Sequence, residues 1–138
     1  MRRWLFLLIF LCVGCSKSVT LNCSYTDINS IYGVKKFNDT LVFKDDELVS
    51  FRREINFNLY SDMIGSVKNI YKSMKNEGIA FKKSIGGKYS VSKSSSSVTM
   101  ILKVDKFKND NLNYIGVDVS NGYNEMKTDY KNNGFSCK

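Results

Sequence analysis

Hydrophobic and polar positions along this chain fall into blocks of different period. Trp4 to Val13 is an unbroken apolar run, preceded by Arg2 and Arg3. From Ser18 the pattern becomes strict alternation. Val19, Leu21, Cys23 and Tyr25 share one side, and Ser18, Thr20, Asn22 and Ser24 the other. A period of two marks a strand with one wet face, and it puts Cys23 on the core side. Asp27 to Val34, with its Asn, Ser and Gly, reads as a turn. Phe37, Leu41 and Phe43 mark a second strand and Lys44-Asp45-Asp46-Glu47 a polar turn. Val49, Phe51, Ile55, Phe57 and Leu59 mark a third strand by the same alternation. Together these predict a three-stranded antiparallel meander.

The period then lengthens. Ser61 is placed to cap a helix, with Asp62 in its first turn. Met63, Ile64, Val67, Ile70, Tyr71 and Met74 recur at helical spacing, opposite Lys68, Lys72 and Lys75. Gly78 is the expected stop. Ile79 to Ile85 then predicts a short strand and Gly86-Gly87 a turn. Tyr89 and Val91, then Val98, Met100, Leu102 and Val104, predict two more strands, joined through the flexible serine run 94–97. A polar loop is expected over 109–113. Ser120 is placed to cap a last helix carrying Tyr123, Met126, Lys127 and Tyr130 and ending at Gly134, after which the tail returns to the sheet. The predicted class is α+β: one antiparallel sheet of about five strands (three-stranded meander, helix, two strands, C-terminal helix) with the helices packed on one face.

Arg53 interrupts the apolar side of the third strand. In register, it points at the core beside Phe51 and Ile55. A bulge there, or a packed stem with its head reaching water, would account for it. The functional alternative is a charge lining an anion-binding cleft, which makes Arg53 the candidate anion or ligand contact.

The N-terminal run is too short to span a bilayer as a helix of about 20 residues. A basic start, a brief apolar stretch and a small residue at Gly14 read as an export signal. Cys12 and Cys15 have the C-x-x-C spacing of redox and zinc sites, but Cys12 lies inside the apolar run and the chain has no His. Cys12-Val13-Gly14-Cys15 instead resembles a bacterial lipobox, with Cys12 standing where Leu is usual. That resemblance implies a lipoprotein signal peptide over 1–14, lipidation such as palmitate on Cys15, a lipidated tether over 15–18 and a single domain over 19–138. The chain would then be held at the cell membrane, facing outside, by a two-chain anchor. An ordinary cleaved signal or an uncleaved anchor are the alternatives.

Of the four cysteines, one would leave with the leader and one would take lipid. Cys23 and Cys137 remain, and an exported protein can oxidise them to a disulfide bond; two buried thiols are the alternative. At 138 residues, with 43% hydrophobic and 13% aromatic content, the chain can bury a real core. Its formal charge is +8, and losing Arg2 and Arg3 would leave a mature domain of about +6. Nucleic acid is not an expected partner for an exported chain. A solvated lysine surface accounts for the charge by itself; anionic lipid headgroups, an anionic envelope polymer or a protein partner are the alternative readings.

Catalytic chemistry is not evident. Without His, a nucleophilic Ser or Cys lacks its usual base. Gly86-Gly87-Lys88-Tyr89 lacks the earlier Gly and the following Ser/Thr of a phosphate loop. Asp45-Asp46-Glu47 and Asp110-Asn111-Leu112-Asn113 lack the calcium-loop Gly. No catalytic residue, metal ligand or cofactor is assigned.

The lipobox, the strand Thr20-Leu21-Asn22-Cys23-Ser24, the hairpin through Phe43-Lys44-Asp45-Asp46-Glu47-Leu48, the mid-chain helix and the closing Tyr130–Lys138 resemble the small, uncharacterised lipoproteins of Gram-positive bacteria and are similar to YehR-type lipoproteins. The resemblance, strongest in the pairing of Cys23 with Cys137, implies an α+β fold and surface anchoring, and no reaction. The expected function is a membrane-anchored binding or interaction module. An inhibitor or exclusion factor against a lytic enzyme or phage is the alternative, and an envelope enzyme the remote one.

Overall fold

The computed structural model describes residues 16–107 and 118–138, so the expected leader with Gly14 and Cys15, and the expected loop at 109–113, lie outside the described residues. Three long strands, β1 (Ser18–Asp27), β2 (Gly33–Lys44) and β3 (Glu47–Leu59), form the expected meander. A 3-10 segment (Ser61–Ser66) leads into α1 (Val67–Ile85). Then follow β4 (Lys88–Lys93), β5 (Ser97–Val104), α2 (Tyr123–Asn132) and β6 (Ser136–Cys137). The sheet order is β4-β5-β3-β2-β1-β6, and every pairing is antiparallel. The sheet therefore has six strands where about five were expected. The sixth is the tail, which pairs with β1 at Cys23 and Ser24.

Alternation decides which face is covered. Leu21, Leu41, Phe43, Phe51 and Phe57 point the same way as Val98, Met100, Leu102 and Val104, and all are buried. Met74 and Phe81 of α1 and Met126 and Tyr130 of α2 close over them as one core. The other face is polar and open to water, as one-sided antiparallel sheets commonly are. Its side chains bond across strands, Thr40 to Asn22 and Thr99 to Asn56. Glu54, on the same face, is held below the usual carboxylate range by hydrogen bonds from Asn56 and Arg52.

The β2–β3 turn corrects one detail of the expected register. Asp45 and Asp46 have φ of 51° and 67°, so both central residues of this two-residue loop are left-handed. That geometry matches the twist of a hairpin, and Asp tolerates it better than most residues. Val42 pairs with Ser50 while Phe43 pairs with Leu48, so Val49 is the extra residue of a bulge. Leu48 takes the core side (7% exposed) and Val49 turns outward (36%). The bulge expected at Arg53 as one explanation therefore sits at Val49, and the alternation from Phe51 onward is intact.

The helix differs from expectation at both ends. Ser61 starts a 3-10 turn without a side-chain cap, and the α-helix begins at Val67. Gly78 does not end it. The helix runs on through 79–85, where a strand was expected, and stops at Gly86, whose φ of 76° requires glycine's freedom. Gly78 instead sits buried where α1 crosses Tyr89 of β4, and a Cβ there would overlap the Tyr89 ring. The serine run forms a tight turn in which Ser94 Oγ accepts from the amides of Ser96 and Ser97. The last helix begins at Tyr123 behind Gly122 rather than at Ser120.

Cys23 and Cys137 are joined by a disulfide across 114 positions of sequence. It lies where the short β6 meets β1, flanked by reciprocal backbone bonds between Asn22 and Lys138 of 3.2 and 2.9 Å. Two residues of ladder hold a tail weakly, so the covalent bond fixes it. Breaking it with Cys137→Ser should lower unfolding free energy by about 4–5 kcal/mol in the chain-entropy description, read as a lower urea midpoint. An unchanged midpoint would show that the tail is held by packing alone. In most exposed helix interiors Gly→Ala gains about 1 kcal/mol. Gly78→Ala should instead cost about 1–3 kcal/mol through overpacking against Tyr89, and a Tyr89→Ala background should turn that loss towards a gain in thermal melts.

Candidate functional site: a cleft over a buried carboxylate

Asp39 and Arg53 are direct register partners on β2 and β3, and both point to the covered face. Asp39 is 1% exposed. A carboxylate so far from water must be fully hydrogen-bonded. Arg53 Nε donates to both its oxygens, at 2.8 and 3.1 Å, and Nη2 donates to Oδ2 at 2.6 Å. Tyr130 of α2 donates its hydroxyl to Oδ2 at 2.7 Å. Burial opposes the Arg53 charge, but hydrogen bonding and attraction to Asp39 outweigh it and raise the guanidinium's pKa. Burial, with the Asp39 charge behind it, pushes the Tyr130 phenol far above its ordinary 10.0. Tyr130 is thus a neutral donor throughout the physiological range. Phe51 and Phe37 flank the guanidinium, with ring centroids 5.6 and 6.0 Å from its central carbon.

A carboxylate 77 positions away in sequence places α2. Asp46, at the left-handed β2–β3 turn, accepts the Tyr123 amide at 2.8 Å and so caps the helix from outside it. Gly122 allows that approach, since a Cβ there would meet the Asp46 carboxylate. Tyr123 also packs edge-on against Phe43, with centroids 5.6 Å apart. The same turn reaches the N-terminal segment, where the Asp45 amide donates to the Lys17 carbonyl at 3.1 Å.

Between α2, the tail and the meander lies a cleft of about 340 Å³. Arg53 and Tyr130 form its polar floor, with Met126 beside them. Phe37, Tyr25, Phe135 and Tyr130 make a continuous aromatic lining. Successive ring centroids lie 6.0, 5.2 and 4.9 Å apart. Asp27, Asp118 and Asp129 stand around it with Asn133.

Arg53, the residue picked out in the sequence, lies in this cleft with its charge matched by Asp39. The disulfide pair lies outside the cleft lining. The sequence carries a signal for Asp39, an Asp on the inward parity of β2 opposite an Arg on the inward parity of β3, and none for Tyr130, which arrives from α2. Among the described residues no group of three or more His, Cys, Asp or Glu side chains is placed to hold a metal ion. No described helix is long and apolar enough to cross a membrane.

The buried trio generates a prediction with an unusual sign. Asp39→Ala should cost about 3–5 kcal/mol, because it removes the buried carboxylate that balances the Arg53 charge and accepts from Tyr130. The double replacement Asp39→Leu with Arg53→Met should cost clearly less than Asp39→Ala, since no orphaned charge remains. Urea unfolding of the single and double variants measures the difference; additive losses would show that the two charges do not depend on each other.

Similarity to known proteins is confined to structure. No protein-family model matches the chain, and no curated protein does. The solution structure of the Escherichia coli YehR protein matches with a TM-score of 0.65 at 14% identity, over 89% of this chain and 92% of that one. The solution structure of a protein from Streptococcus pneumoniae TIGR4 matches with a TM-score of 0.55 at 11% identity, over 88% and 86%. At these identities the likeness shows a shared fold: this chain has a YehR-like α+β architecture.

Proposed function

We propose that this chain is a lipoprotein of the cell envelope, anchored through Cys15 and facing outside, that works as a non-catalytic binding module. The observation that carries the binding reading is the cleft over Asp39, Arg53 and Tyr130. It is concave, aromatic-lined and furnished with a few convergent polar groups, the usual make-up of a ligand site. Its polar groups are already held by Asp39, so a ligand would meet a preformed surface and lose little to ordering.

The anchoring reading rests on the lipobox-like Cys12-Val13-Gly14-Cys15. β1 begins at Ser18, three residues after Cys15, so a lipidated chain would hold its domain close to the bilayer. The lysine-rich surface of a basic chain suits an anionic headgroup or envelope polymer nearby.

Cells fed an alkyne-bearing palmitate should label the wild-type chain and keep it in the membrane fraction, while Cys15→Ala should lose both the label and the sedimentation. A Cys15→Ala chain that still labels would overturn the anchor. Independently, amide shifts on screening small aromatic compounds should centre on Tyr25, Phe37 and Phe135; a screen whose hits all fall elsewhere on the domain would overturn the cleft as the binding site.

A further inference from the structure

We infer that the cleft selects an organic cation, an amine or guanidine carried on an apolar body, rather than the anion that Arg53 first suggests. This rests on the cleft being a binding site and adds the chemical class of what it takes.

The Arg53 charge is already balanced before any ligand arrives. Its Nε and Nη2 both donate to Asp39, at 2.8 and 2.6 Å, and the pair is neutral as a unit. What remains is of one sign. Asp27, Asp118 and Asp129 stand around the same cavity. Their hydrogen bonds go to neutral donors: Asp27 to the Asn29 amide, Asp118 to Ser120 and Asp129 to the Asn121 side chain. None of the ion pairs among the described residues involves them. The cleft is thus locally acidic on a chain whose formal charge is +8. Screening over about 8 Å at physiological salt weakens the influence of lysines beyond that range.

The aromatic lining points the same way independently of the carboxylates. Four rings run in sequence around the cavity, Phe37, Tyr25, Phe135 and Tyr130, with neighbouring centroids at most 6.0 Å apart. Rings arranged around a space attract a cation through their electron-rich faces, and such cages are the known way to hold ammonium groups. The fold already uses the interaction beside the cavity, where the Arg53 guanidinium lies between Phe37 and Phe51. An anion would meet three carboxylates and an aromatic lining, with no free cation among the described lining residues to offset them. A cation on an apolar body satisfies both sets, and a space of about 340 Å³ admits a group the size of an aromatic amine or a basic side chain.

The test uses three probes of matched size: phenethylammonium, phenethyl alcohol and 3-phenylpropionate, titrated into the full chain in lipid nanodiscs. Shifts at Tyr25, Phe37 and Phe135 report occupancy. The expected result is tightest binding for phenethylammonium, about tenfold weaker binding for the alcohol and none for the carboxylate. Asp27→Asn with Asp129→Asn should weaken the ammonium probe several-fold and leave the alcohol unchanged. These are surface substitutions, and unchanged thermal unfolding would confirm that they leave the fold intact. Equal binding of all three probes, or preference for the carboxylate, would overturn the cation inference and leave the cleft standing as a site. Failure of all three to shift the cleft resonances at 10 mM (about 2.7 kcal/mol of binding free energy) would overturn both.

Discussion

A single buried carboxylate sets the terms for the rest of this molecule. Asp39 lies at 1% exposure in the middle of the sheet's covered face and can stay there only with its donors in place. Two of the requirements are met by Arg53, which must sit opposite it on the neighbouring strand. A shift of one residue between β2 and β3 would carry Arg53 to the wet face and strand the charge. The third comes from Tyr130, which fixes where the last helix can lie. The cluster thus ties strand register to helix placement. Apolar packing alone specifies neither so sharply, because hydrophobic contact has no direction.

Much of the architecture was legible because period reports face. The meander, the two later strands and the inward direction of Cys23 and Arg53 follow from alternation, and the last helix from its flanking cap and glycine signals. The errors have physical causes of their own. Gly78 reads as a stop because glycine ends helices, yet here it is the residue that permits close approach to Tyr89, a contact no local pattern encodes. Val49 reads as core because it continues an alternation that the bulge between Leu48 and Ser50 interrupts by one residue. Arg53 is visible as an oddity, but its partner Asp39 is 14 positions away and meets it only through the β2–β3 register. The aromatic lining was the least legible part. Tyr25, Phe37, Tyr130 and Phe135 lie on four different segments, and only the disulfide-closed topology gathers them.

The sign of the cleft shows why an isolated charged residue is a poor guide to ligand chemistry. Arg53 taken alone suggests an anion. Arg53 with Asp39 is a neutral, directional floor, and the charge a ligand meets comes from residues on the β1 end, before α2 and along α2. Burial beside Asp39 has converted a cation into structure, while the carboxylates around the cleft hydrogen-bond to neutral donors.

The β2–β3 turn has a mechanical consequence. Its first aspartate is bonded to the backbone of Lys17, at the foot of β1, and its second holds the start of α2. Any pull or tilt arriving through the N-terminal segment therefore enters the fold at the joint that supports one wall of the cleft. The path from the N-terminal segment to that wall of the cleft is two adjacent residues long.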